Sequence, residues 1–256
     1  TRFIWKIFNH ESIGSMRLLH LLYVLIFKIS LILLIYEIIK KSFFVVNLKL
    51  IYFLSISLIS LFLIDYNLNT GDSFSSRDIP IIIFLIIFFK YLNNINRIYF
   101  PLVFLGFLSV ITFFWSIDRA LIINCLTIFT CIYLFINKKY NNIFLIIFSI
   151  IFFWLLSYLY LEKEFGFFLE NTFLIFKNIN YVFGIIHPTP FSDMPHSSRA
   201  TKSLLLIILS ILISFNFLFS EKKKYSGYFK VVIITLSFVG FCSYISALGR
   251  SDGGHI

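Results

Sequence analysis

The sequence predicts an all-α polytopic transmembrane helix bundle of about eight spans, and three observations predict it. The 256-residue chain is 59% hydrophobic, with a mean hydropathy of +0.93. Only 13% of its residues are charged, about half the share of an ordinary soluble domain. Its apolar runs recur at the length of about 20 residues that a helix needs to cross a hydrocarbon core about 30 Å thick. Phe occurs 35 times, mixed with Ile, Leu, Tyr, Asn and Lys, and reads as lipid-facing bulk in a composition that AT-rich coding favours.

The runs place spans at 18–39, 48–64, 79–95, 98–115, 119–137, 142–161, 203–220 and 230–248. The first carries Lys28 at mid-depth, where it faces the bundle, pairs with Glu37 or serves a proton path. His20, Trp115 and Trp154 read as interfacial side chains. The third span is short in its apolar part, 79–89, and crosses only if Asp78 and Lys90 snorkel from its ends. Pro80 and Pro101 lie near the starts of their spans, where proline is tolerated. Residues 162–202 form the one long connection, an extracytoplasmic loop. Its apolar first part, 165–186, carries Glu170, Asn171, Lys177, Asn178 and Asn180 and reads as an interfacial or re-entrant helix, with a ninth span as the alternative. In its second part Pro188, Pro190 and Pro195 preclude a regular helix, and Ser197-Ser198 offer N-caps for a helix beginning near Arg199. Residues 1–256 read as a single integral membrane domain. The chain opens on Thr1 and stops at Ile256 directly after a polar motif, so a piece of a longer protein is expected.

Lysine and arginine set the orientation. With eight spans, one set of short gaps and helix ends holds Lys40, Lys41, Lys49, Lys90, Arg97, Lys138, Lys139, Lys222, Lys223, Lys224 and Lys230. The opposite set, its long 162–202 member aside, holds only Arg77, Arg119 and Arg250. Eleven against three is a positive-inside bias, which makes the first set cytoplasmic. All six aspartates, Asp65, Asp72, Asp78, Asp118, Asp193 and Asp252, then fall on the extracytoplasmic side. The net charge of +10 is thus a topology signal. The basic residues form no aromatic-interleaved patch and no DNA-reading motif, so no nucleic-acid partner is expected.

Four outer segments combine the same residue types: Asp72 to Asp78 with Arg77, Trp115 to Arg119 with Asp118, residues 187–202, and Gly249 to His255. An Arg-Asp pair at a helix mouth has a structural reading, since it costs less there than either charge alone. The functional reading is a shared pocket. Asp72, Asp78 and Asp193 are the candidate catalytic carboxylates, as general base toward a hydroxyl or as ligands of a divalent cation. Arg77, Arg119, Arg199 and Arg250 suit bidentate contact with phosphate, and His187, His196 and His255 add phosphate contacts or a proton. Gly253-Gly254 lets the backbone approach a ligand closely. No Walker loop, HExxH, GxSxG or dinucleotide fingerprint is present. Cys125, Cys131 and Cys242 lie in apolar stretches without redox or zinc spacing and read as small hydrophobes, with no disulfide inferred.

Many spans, acidic residues in an outer loop after an early helix, and Arg and His in later outer loops resemble the polytopic glycosyltransferases of the C superfamily. That resemblance implies transfer of a sugar from a polyprenyl-phosphate carrier at the extracytoplasmic face of a bacterial inner membrane. It implies Asp72 or Asp78 as base, and Arg119, Arg199 and Arg250 as contacts to the carrier phosphate. The chain departs from the family in placing its Asp-rich loop after the second span rather than the first. An O-antigen polymerase or ligase, which also uses outer-loop Arg and His, fits residues 187–202 as well. A transporter ranks lower, because only Lys28 sits near a midplane. A non-catalytic membrane subunit with a polar mouth is the remaining class.

Overall fold

The computed structural model describes residues 13–42, 46–63, 74–93, 99–178, 189–193, 197–219 and 227–244. Among them the secondary structure is entirely helical: α1 (Ile13–Ser42), α2 (Val46–Leu63), α3 (Phe74–Asn93), α4 (Phe100–Trp115), α5 (Ile117–Ile136), α6 (Tyr140–Leu161), α7 (Lys163–Lys177), α8 (Ser197–Phe219) and α9 (Gly227–Cys242). Five stretches are long and apolar enough to cross a membrane, consistent with an integral membrane protein: Leu21–Lys40, Ile117–Ile136, Tyr140–Leu161, Ala200–Phe219 and Gly227–Tyr244. The chain divides into two compact units, residues 1–95 and 96–256.

In the first unit α1 packs against both α2 and α3. Tyr36 meets Phe53 edge-on at 6.1 Å between α1 and α2, and Lys40 lies over the Tyr36 ring. Phe84, Phe88 and Phe89 of α3 are fully buried, and Leu34, Ile35 and Ile39 of α1 are buried. The helix starts at Phe74, earlier than the apolar run, so Arg77 and Asp78 are helical rather than part of a loop. Pro80 is therefore the seventh residue of α3, not at its start, and the carbonyl of Ser76 loses its helical partner. Near the other end the Asn93 amide donates to the Glu37 carboxylate at 2.8 Å, both residues being buried. This bond joins the C-terminal ends of α1 and α3, so the two helices run parallel. Lys28 lies nine residues from Glu37, about half a turn out of phase and so on the opposite face of α1.

In the second unit α4 packs against α5 and α6. Gly106 lets α6 approach so closely that a Cβ there would stand 2.6 Å from Ser149 Oγ. Ser149 Oγ in turn donates to the Val103 carbonyl at 2.7 Å. Phe107 meets Phe153 and Phe113 meets Trp154, so α4 and α6 run parallel. Trp154 is thus packed among aromatic rings rather than serving only as an interfacial anchor. Between α4 and α5 a polar seam joins Ser109 Oγ to Thr127 Oγ1 at 2.6 Å and the Asn124 amide to the Ser109 carbonyl at 3.0 Å. In a bundle without water to drive burial, such hydroxyl and small-residue contacts hold helices together.

α8 and α9 form an antiparallel hairpin. Ser214 meets Ser237 at 2.6 Å, Phe217 packs on Phe229, Lys230 Nζ donates to the Leu218 carbonyl, and Tyr244 OH donates to the Ala200 carbonyl. α9 also packs on α5, where Phe129 stacks on Phe238 at 5.2 Å. α7 follows α6 through Glu162, whose φ of 47° reverses the chain in one residue. Phe165 then packs on Trp154 and Tyr158, and Phe168 stacks on Phe114.

Candidate functional site

The helix directions sort the second unit into two ends. One end holds the turn between α5 and α6, with Lys138 and Lys139, and the start of α9 with Lys230. The other holds the α4–α5 junction, the α6–α7 turn, the start of α8 and the end of α9. Asp118, Arg119, Asp193 and the backbone of Arg199 all lie at this second end. In the first unit Arg77 and Asp78 likewise lie at the opposite end of α3 from Lys90 and Asn93. Within each unit the described aspartates thus lie at the opposite end from Lys90, Lys138, Lys139 and Lys230, while Lys163 and Lys202 share the Asp118 end.

The α4–α5 junction builds the most ordered charged group. Ser116 is extended between the two helices, and its backbone N–H donates to the Thr112 carbonyl. Asp118 sits in the first turn of α5, where the positive end of the helix dipole favours a carboxylate. Its carboxylate accepts from Ser116 Oγ and, at 3.0 Å, from Arg119 Nη1. The Arg119 side chain is only 5% exposed, whereas that of Asp118 is 32% exposed. Arginine is thus the deeper partner and the carboxylate faces the mouth. Burying a guanidinium requires such a partner, because an unpaired buried charge is strongly destabilising.

The second ordered group is the 189–193 loop. Ser192 N–H donates to Ser197 Oγ at 3.0 Å, Ser197 Oγ donates to the Thr189 carbonyl at 2.9 Å, and Phe191 N–H donates to Thr201 Oγ1 at 2.9 Å. Thr189 and Ser192 also bond to each other through their hydroxyls at 2.8 Å. The loop is thereby folded onto the first turn of α8. This revises the expected capping: the helix begins at Ser197 itself, and that hydroxyl pins the loop instead. Asp193 follows the pinned residues and is exposed. Sequence reasoning missed Thr189, Ser192 and Thr201 as positioning residues, although the density of hydroxyls around Pro190 was the available signal.

Of the remaining candidates, Arg77 is exposed and Asp78 half-buried at the start of α3. Asp72, His187, His196, Arg250 and His255 lie outside the described residues, as does the side chain of Arg199. Among the described residues no three His, Cys, Asp or Glu gather as a group that would hold a metal ion. No protein-family model, curated protein or solved structure matches the chain.

Proposed function

We propose that the protein is a membrane-embedded transferase acting at the extracytoplasmic face on a polyprenyl-phosphate-linked sugar or glycan, with α1–α6, α8 and α9 as eight spans of a bacterial inner-membrane bundle. The observation that carries this reading is the buried Arg119, held by Asp118 and placed at the same end of its unit as the pinned loop bearing Asp193. The short turn at the other end, with Lys138 and Lys139, supports an extracytoplasmic Asp118 end by the positive-inside rule, Lys163 and Lys202 belonging to the long 162–202 segment that the charge count sets aside.

The chemistry asked of these residues is positioning and charge. An acceptor hydroxyl loses its proton to a carboxylate, Asp193 in this unit, and its oxygen attacks the anomeric carbon of the carrier-linked sugar. The bond from that carbon to the carrier phosphate oxygen breaks, and the phosphate leaves with the electron pair. Arg119 meets the negative charge that builds there, with Asp118 fixing the fork of the guanidinium. Asp72 and Asp78 remain the candidate bases of the first unit.

The depth of Arg119, set against the exposure of Asp193, favours one version of this reading, the O-antigen polymerase or ligase type, in which arginine carries more of the work than aspartate. The test is the lipid extract of cells lacking the gene. Polyprenyl-linked glycan should accumulate, and the wild-type chain should clear it. Arg119→Lys, which keeps charge but not the planar fork, should slow clearance at least about tenfold, one bidentate contact being worth roughly 1.4 kcal/mol or more. Asp193→Asn retaining activity selects the polymerase or ligase version. No accumulation in the deletion strain overturns the substrate class, and full activity of Arg119→Ala overturns the assignment of the site.

A further inference from the structure

Cys125 and Cys242 are 117 residues apart in sequence and carry no redox or zinc spacing, yet the fold sets them face to face. α5 and α9 are antiparallel neighbours, and Phe129 stacks on Phe238 with centroids 5.2 Å apart. Cys125 is four residues before Phe129 and Cys242 four residues after Phe238, one helical turn further toward the Asp118 end on each helix. In an antiparallel pair these positions stand opposite each other, and the two thiols lie near enough to interact electrostatically. All three cysteines are free, and Cys125 is exposed on the outer surface of the bundle. Cys131, six residues after Cys125, is about 240° further round α5 and lies on a different face.

We propose that Cys125 and Cys242 are a redox-sensitive thiol pair that closes to a disulfide and ties α9 covalently to α5. The oxidant is a lipid-permeant disulfide. One thiol, as its thiolate, attacks the oxidant and releases one equivalent of its thiol, forming a mixed disulfide. The second protein thiolate then attacks that protein sulfur and releases the other equivalent. Two cysteine thiols are oxidised, one disulfide is reduced to two thiols, and the two protons leave on those products. An S–S bond is about 2.05 Å long, so closure requires the two helices to approach at this level and then holds them there.

The link would act on the end of the unit that carries the charged groups. Cys125 lies six residues from Arg119, and the last described residue of α9, Tyr244, is hydrogen-bonded to the first full turn of α8 at Ala200. Fixing α9 to α5 therefore also fixes α8 relative to the α4–α5 junction. This holds whatever reaction the protein catalyses, so its test is independent of the transferase reading.

The experiment uses the full chain in its membrane, with Cys131→Ser present and a protease site inserted within 220–226. After treatment with 4,4′-dithiodipyridine and cleavage, the two fragments should remain joined on a non-reducing gel and separate on reduction. Cys125→Ser or Cys242→Ser should each abolish the link. Intact-mass measurement on the chain without the inserted site gives a second readout, a loss of two hydrogen atoms. One thiopyridine adduct on each cysteine, separation of the fragments, or a dimer linked through Cys125 would each overturn the proposal.

Discussion

The buried Glu37 carboxylate accepts a hydrogen bond from the Asn93 amide, a link of 2.8 Å between residues 56 positions apart. It joins two C-terminal helix ends, so α1 and α3 run the same way and the intervening α2 returns. The short apolar stretch at 79–89 left the third span in doubt from sequence alone. In the structure it is the interior of a 20-residue helix, about 30 Å long, with fully buried phenylalanines, though that helix is not among the five long and apolar enough to cross a membrane.

Removing the amide should expose the cost of that carboxylate. Asn93→Leu is expected to lower stability by about 1–3 kcal/mol, the cost of losing one hydrogen bond to a buried carboxylate. Glu37→Gln, which keeps a hydrogen-bonding oxygen, should cost less. Thermal unfolding in detergent checks the order, and an Asn93→Leu protein as stable as the parent would contradict it.

Gly106 and Gly240 should respond oppositely to the same substitution. A methyl group at Gly106 would stand 2.7 Å from Ser149 Cβ and 3.0 Å from the Ile146 carbonyl oxygen, so Gly106→Ala forces α4 and α6 apart at a cost of about 1–3 kcal/mol. At Gly240 nothing lies within 4 Å, and Gly240→Ala should be neutral or stabilise by up to roughly 1 kcal/mol through helix propensity. Equal melting temperatures for the two variants would contradict the close approach.

The Asp118–Arg119 pair predicts an asymmetry. Asp118→Ala removes a carboxylate partner of a buried guanidinium and should destabilise by about 1.5–3 kcal/mol. Arg119→Met leaves a carboxylate that is one-third exposed and still bonded to Ser116, and should cost less. Urea or detergent titration of the two variants decides this, and the reverse order would place Arg119 in water.

The two ends of the second unit should label from opposite sides of the membrane. A cysteine at Ser198 and one at Lys139, each in a background without native cysteine, are the probes. An impermeant maleimide added to intact cells should reach Ser198→Cys alone. Both sites reacting from the same side would break the span count between them.

The helices were largely legible because crossing a bilayer demands a long apolar run, and no other composition supplies one. The ends were less so. Arg77 and Asp78 read as loop because they are charged, but helix formation depends on backbone bonds that charge at a first turn does not disrupt. Ser197 read as a cap, and only the folded loop gives its hydroxyl a different task. The pairing of Asp118 with Arg119 was readable from adjacency, whereas the inversion of depth, with arginine inside, was not. The meeting of Cys125 with Cys242 and of Glu37 with Asn93 depends on which helices are neighbours, and apolar periodicity carries almost no information about that when lipid and protein are equally apolar.

α4 runs for 16 residues, a rise of about 24 Å, against a hydrocarbon core of about 30 Å. It ends at Trp115, and the chain turns at once through Ser116 into α5. α4 is thus shorter than the five helices long enough to cross, and on the proposed reading, in which it spans, the bilayer would have to thin by roughly 6 Å along it. Thinning at the Trp115 end would bring lipid phosphates closer to the Asp118 carboxylate. On the transferase reading proposed above, a lipid-borne substrate would then meet this charged pair by lateral diffusion within its own leaflet, without being lifted out of it.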